Sequence, residues 1–295
     1  MGGRADRDYD PVPVSTPATP RDFARELRRW REARRVSQLE LALRAGTTQR
    51  HVSYIEQGRS RPGRAMVVRL AESLELSLRE RNALLLAAGY APVFPESRLD
   101  DQALQTVREA LEGILVGHLP YPALVVGRSG DVVMANAAID VLVAGAAPAL
   151  LEPPVNLLRL AVHPDGMAPR VENLAEWGRH ILDNVRAQAL RHPDERLDAL
   201  AAEIEDLLPP PGLGPDHIGF AVPLRLRCEQ GELQLMTTLT SFATALDVTL
   251  GELHLEAFLP ANDATAQILR EREHARREHG GDTGSLPPAL VVGAS

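Results

Sequence analysis

Lysine is missing from this chain of 295 residues, so its basic charge rests on 32 arginines alone. With abundant alanine, 22 glycines and 23 prolines, that bias points to a GC-rich coding sequence and says nothing of mechanism. Cysteine is nearly missing too. Cys228 stands alone, which excludes an internal disulfide and a cysteine-held zinc or iron-sulfur site, and fits a reducing cytoplasm. The longest uncharged apolar stretch in the middle of the chain, residues 141–151, contains Pro148 and falls well short of the roughly 20 residues a membrane span needs. No apolar run precedes Pro20, so no secretory signal is expected. No Gly-x-Ser-x-Gly elbow, P-loop, His-Glu-x-x-His or dinucleotide glycine fingerprint occurs, and the nine histidines are scattered; the chain reads as neither an enzyme nor a metalloprotein.

What is present is an ordinary globular composition, 44% apolar and 24% charged, long enough for about two domains. The charge is unevenly placed. Residues 21–95 hold 15 arginines against 8 acids, a net of +7, whereas residues 96–295 hold 15 arginines against 29 acids, a net of -14. A basic module is thus joined to an acidic body that DNA phosphates would repel. Residues 1–20 and 280–295 lack a periodic apolar set and are expected to be unstructured. The boundaries read as a disordered tail over 1–20, a helical module over 21–92, a connector helix over 97–118, a second domain over 119–266, and a charged helix end with a disordered tail over 267–295.

In the basic module, Phe23, Leu27 and Trp30 recur at helical spacing. Ser37 can cap a short second helix over 39–44, with Glu40 completing a capping box. Ala42 and Gly46 allow a close, sharp turn. Thr48 caps a third helix that turns Val52 and Ile55 inward and leaves Gln49, Arg50, His51, Ser53 and Tyr54 outward, until Gly58 ends it in a left-handed turn. Two more helices, over 64–74 and 78–88, close an all-α five-helix core.

The run Ser37-Gln38-Leu39-Glu40-Leu41-Ala42, then Gly46-Thr47-Thr48-Gln49, then Tyr54-Ile55-Glu56-Gln57-Gly58-Arg59-Ser60-Arg61-Pro62 resembles the helix-turn-helix domain of the phage-repressor and Xre family. The resemblance covers about a quarter of the chain. It implies that the third helix enters the major groove, with Gln49, Arg50, His51 and Tyr54 facing base edges. Glutamine suits adenine and arginine guanine. It also implies that Gln38, Thr48, Ser53, Arg59, Ser60 and Arg61 meet phosphate and set position without reading sequence. The partners implied are a double-stranded DNA operator and a second copy of the chain.

In the acidic body, residues 123–126 and 132–136 form a hairpin about a five-residue turn, and residues 223–228, 233–239 and 252–259 alternate with period two. Two strands, helices, then three strands make an antiparallel α+β sheet with helices on one face, the arrangement of PAS-like domains. With Asn156-Leu157-Leu158-Arg159-Leu160 and His163-Pro164-Asp165-Gly166 in its middle, the body resembles that of the MmyB-like regulators, a family common in actinomycetes. That resemblance implies a ligand-binding PAS-like domain and, as its only bound group, a fatty acid or other lipid-like apolar small molecule, with no membrane association.

Val126, Trp177, Leu226, Met236, Phe242 and Phe258 are the candidate lining of such a pocket, although apolar residues at strand or helix period are also what an ordinary core requires. For a carboxylate head group Arg159 comes first, then His163 or Arg170. Asn136 reads as the cap of the helix after the second strand and as a weaker ligand contact. Residues 163–166 read as a turn, and Cys228 as a small buried hydrophobe. Two readings stay open: a ligand-controlled regulator, found in the cytoplasm and on the nucleoid when bound to DNA, or a DNA-binding regulator whose second domain only dimerises or binds a partner protein.

Overall fold

The computed structural model describes residues 20–210, 222–242 and 245–278. The chain divides into two compact units, residues 1–94 and 95–295. The unstructured tails expected at the two ends lie outside the described residues over 1–19 and 279–295, while Pro20 already opens the first helix.

The first unit is five helices: α1 (Pro20–Ala33), α2 (Gln38–Arg44), α3 (Gln49–Glu56), α4 (Arg64–Ser73) and α5 (Leu78–Ala87). Each turns one apolar stripe into a common core of Phe23, Leu27, Trp30, Leu41, Val52, Ile55, Leu70 and Leu84. Burying a side chain of this size contributes about 1.5–3 kcal/mol, and that shared core is what holds helices as short as α2 and α3. Gly46 and Gly58 take the left-handed φ values of +62° and +69° that end α2 and α3. Ser37 caps α2 by accepting from the N–H of Glu40, but the expected box does not close, because Glu40 pairs with Arg44 at 2.5 Å. The box is one pattern further on. Ser77 accepts from the N–H of Glu80, and the buried Glu80 carboxylate accepts from the N–H of Ser77 at 2.8 Å.

The second unit is built on a five-stranded sheet, β1 (Ala123–Val126), β2 (Val132–Ala135), β3 (Leu224–Cys228), β4 (Gly231–Ser241) and β5 (His254–Pro260), in the order β2-β1-β5-β4-β3. Every pairing is antiparallel, giving the curled PAS-like arrangement expected. One face carries Leu124, Val126, Leu226, Leu233, Leu235 and Phe258 and packs beneath α8 (Leu157–Val162), α9 (Leu174–Arg191) and α10 (Glu195–Leu207). The other face is covered as well, contrary to the one-faced expectation. Leu111 and Leu115 of α6 (Gln105–Gly117) pack on Ala123, Val125, Met134 and Ala257, so the expected connector helix is part of this unit's core.

A short helix, α7 (Asp140–Val143), follows β2, and another that the sequence did not suggest, α11 (Val248–Gly251), precedes β5. The last helix, α12 (Asp263–Glu278), spans the boundary drawn at 266, and its charged end is not simply solvated. Leu269 is core, Glu273 is buried against Arg276 and Arg277, and Arg272 and Arg276 reach Asp140 at 3.2 and 3.1 Å. No helix among the described residues is long and apolar enough to cross a membrane.

Candidate functional site

In the first unit the outward row of α3 is assembled from short local bonds. Thr48 accepts from the N–H of His51 at 3.2 Å and so starts the helix. Thr47 holds the His51 ring, Oγ1 to Nδ1, at 2.9 Å. Arg50 donates from Nε to the Tyr54 hydroxyl at 3.0 Å, its guanidinium 5.2 Å from the ring centre, and Gln57 donates to the Ser53 hydroxyl at 3.0 Å. Gln49 and Arg50 are exposed, and His51, Ser53 and Tyr54 half-buried. Side chains four apart thus steady one another along the row.

Behind the row lies a clamp that the sequence reading did not single out. The Glu56 side chain at the end of α3 is nearly buried and accepts from Arg31 of α1 at 2.6 and 3.0 Å and from Gln38 of α2 at 2.8 Å. Arg31 donates a further bond to the carbonyl of Val36 at 3.0 Å. A two-pronged guanidinium–carboxylate pair fixes direction as well as distance, so α3 is aimed by the two helices before it. The cost falls on an expected phosphate contact, since the Gln38 amide nitrogen is engaged inside the protein. Arg61 is also partly engaged, donating to the carbonyl of Ala88 at 3.3 Å. Thr48 and Arg59 stay exposed, and Ser60 is half-buried.

In the second unit the expected ligand residues do not come together. Arg159, the first candidate for a carboxylate, already grips one from within: its Nε and terminal nitrogen reach Glu203 of α10 at 2.5 and 2.8 Å. That hydrogen bond holds Glu203 below the usual carboxylate range. His163 accepts from the N–H of Asp165 at 3.0 Å within the turn over 163–166. Arg170 donates to the carbonyls of Val141, at 3.0 Å, and Leu142, closing the end of α7, and burial lowers its pKa. It borders a surface cleft of about 270 Å³ walled by Ala144, Gly145, Pro164 and Pro169. Asn136 is a latch, not a cap or a ligand contact. It is buried, accepts from the N–H of Ala123 at 3.1 Å and donates to the carbonyls of Leu115 and Tyr121 at 3.0 and 2.9 Å, which uses its amide protons.

The apolar lining divides in the same way. Val126, Trp177, Leu226 and Phe258 belong to one packed cluster on the inner sheet face. Phe242 packs with the cluster on the opposite face, and Met236, one residue beyond Leu235, points to that opposite side. What the inner face does hold beside Phe258 is charged. Glu256 precedes Phe258 by two residues and so shares its face. It lies opposite Leu124 of β1 and Leu239 of β4 and is half-buried, and its carboxyl has no hydrogen-bond partner among the described residues. Burial pushes its carboxyl up to about 7. His254, two residues earlier, shares a hydrogen bond with Ser241 at 3.1 Å, and burial lowers its pKa. Cys228 is half-buried at the end of β3. The alternation of β5 carried the signal for Glu256, since that period puts it in phase with Phe258.

Comparisons with known proteins agree with both units. The family model described as an MmyB-like transcription regulator ligand binding domain matches residues 107–271, and one described as a helix-turn-helix domain matches residues 22–84. A curated relative, an uncharacterized HTH-type transcriptional regulator y4dL of Sinorhizobium fredii (strain NBRC 101917 / NGR234), is 44% identical over 56 residues, covering 19% of this chain and 29% of that protein. The chain therefore spans under a third of that relative's length. A solved RNA-binding light-oxygen-voltage receptor aligns over 88% of this chain and 64% of its own, at 13% identity and a TM-score of 0.27, which is too low to bear on fold or function.

Proposed function

The chain belongs to the MmyB-like transcription regulators, and on that premise we propose that it is a sequence-specific DNA-binding regulator whose second unit binds a small apolar ligand that changes operator affinity. The observation that carries the DNA half is the exposed Gln49–Arg50 pair on α3, clamped from behind by Glu56 in a stretch, residues 21–95, of net charge +7. In this reading Gln49, Arg50, His51 and Tyr54 face base edges, and Thr48, Ser53, Arg59, Ser60 and Arg61 face phosphate. The protein acts as a homodimer, its two α3 helices about 34 Å apart on a near-palindromic operator. Ligand control requires unequal affinity for the DNA-competent and incompetent forms; a coupling of about 1–3 kcal/mol changes operator affinity roughly 5- to 150-fold. Footprinting on the DNA upstream of its own gene tests the proposal. A protected site with two half-sites one helical turn apart is expected, and protection no better than on random DNA would overturn it.

A second reading has one observation in its favour. Trp177, Phe258, Leu226 and Val126 are close-packed with one another's neighbours, as in a solid core. In that reading the second unit is a dimerisation or protein-interaction module without a small molecule. Native mass spectrometry of the purified protein separates the two: a stoichiometric lipid-sized adduct favours the first, and bare protein the second.

A further inference from the structure

The inner sheet face offers an acceptor where a fatty-acid head group would need a donor. Glu256 sits between Leu124 and Leu239 in cross-strand register, so its carboxyl stands on an apolar surface. Neither a hydrogen-bond donor nor a cation meets it among the described residues, and burial alone accounts for its raised pKa. A buried or half-buried carboxyl without a partner costs stability and is a mark of functional sites more than of cores. The same face stays open beside it: Leu239 is 62% exposed, and Thr237 and Ser241, in phase with Leu239 along β4, are exposed too. An acid, by contrast, finds its expected receptors engaged, Arg159 by Glu203 and Arg170 by the carbonyls of Val141 and Leu142.

We propose that Glu256, with Thr237, Leu239, Ser241 and His254 around it, forms the polar end of the ligand site, and that the site takes an apolar molecule with a hydrogen-bond-donating head, an alcohol or an amine, in preference to a carboxylate. The inference rests on the reading that the second unit binds a ligand. A donor-headed molecule supplies the bond that none of the described residues gives Glu256 and leaves its chain along Leu239 and the apolar face. A carboxylate would instead set a second negative charge against the first.

The test is calorimetric titration of the full chain with decylamine, decanol and decanoate at about pH 8.5, where Glu256 is ionised. Wild type is expected to bind decylamine and decanol about tenfold or more tighter than decanoate, the order of one charge-assisted hydrogen bond. Glu256→Leu should lose that preference and bind decanoate more tightly than wild type does, a gain that an unfolded variant would not give. Glu256→Gln keeps an acceptor oxygen and should retain decanol while losing the advantage of decylamine. Decanoate binding tightest to wild type, or an unchanged ranking in both variants, would overturn the proposal while leaving a ligand-binding unit intact. No binding of any of the three would overturn the ligand reading and this inference with it.

Discussion

Glu56 decides the aim of the DNA-facing row, because the carboxylate that ends α3 is the shared acceptor of α1 and α2. Glu56→Ala would leave the mostly buried Arg31 guanidinium with only the longer contact to the exposed Glu32 at 3.7 Å, and losing the partner of a buried pair costs about 3–5 kcal/mol in comparable cases. Chemical denaturation of the full chain, followed at the first transition, should show that loss, and a change under about 1 kcal/mol would mean that the clamp is dispensable. Glu256 gives a prediction of opposite sign. Its carboxyl titrates near 7 folded against 4.5 as an ordinary glutamate, so the folded state holds the proton more tightly. Stability should therefore be highest below about 4.5 with respect to this group and fall as pH rises to about 7. Glu256→Gln removes that slope, so it should raise the melting temperature at pH 8 relative to wild type and leave it nearly unchanged near pH 4.5. Equal effects at both pH values would show that the carboxyl is not held in an apolar setting.

At the scale of elements, caps and periods explain what could be read in advance and what could not. The five helices of the first unit are legible because each is amphipathic against a single core, and the strands because β3 and β5 alternate while β1 is a short apolar run bounded by a turn. The capping box was misplaced because Ser37-x-x-Glu40 and Ser77-x-x-Glu80 look alike as patterns, and only the structure shows that Arg44 draws Glu40 away. Ser77→Ala should accordingly cost about 1 kcal/mol or more, since the Glu80 N–H that loses its acceptor is part-buried, while Ser37→Ala, which uncaps an exposed N–H, should cost less. Equal losses in thermal denaturation would contradict that ranking. The packing of the α12 end escapes an apolar pattern for a related reason. The α12 residues that bind it to its unit include Glu273, Arg272 and Arg276, which a pattern of apolar spacing counts as surface. Asn136 and Arg159 were misjudged because which partner a polar side chain finds depends on contacts far along the chain, here with Leu115 and Glu203.

Across the molecule, the division into a basic first unit and an acidic second one was visible in charge alone, and so was the family through its spaced motifs. The ligand site was not, because a pocket lining and a core share one periodicity, and the half-buried Glu256 stands out only once its neighbours are known. Operator recognition depends most on α3 reading sequence. The direct measurement is selection of binding sites from randomised duplex DNA by wild type, Arg50→Ala and Arg59→Ala. Wild type should enrich paired half-sites, and Arg50→Ala should lose discrimination at one base position by about 1–3 kcal/mol. Arg59→Ala should keep the same preferred site while binding all DNA more weakly, with a salt slope lower by about 1. A preferred site that survives Arg50→Ala unchanged, or equal losses on specific and random DNA for both variants, would contradict it.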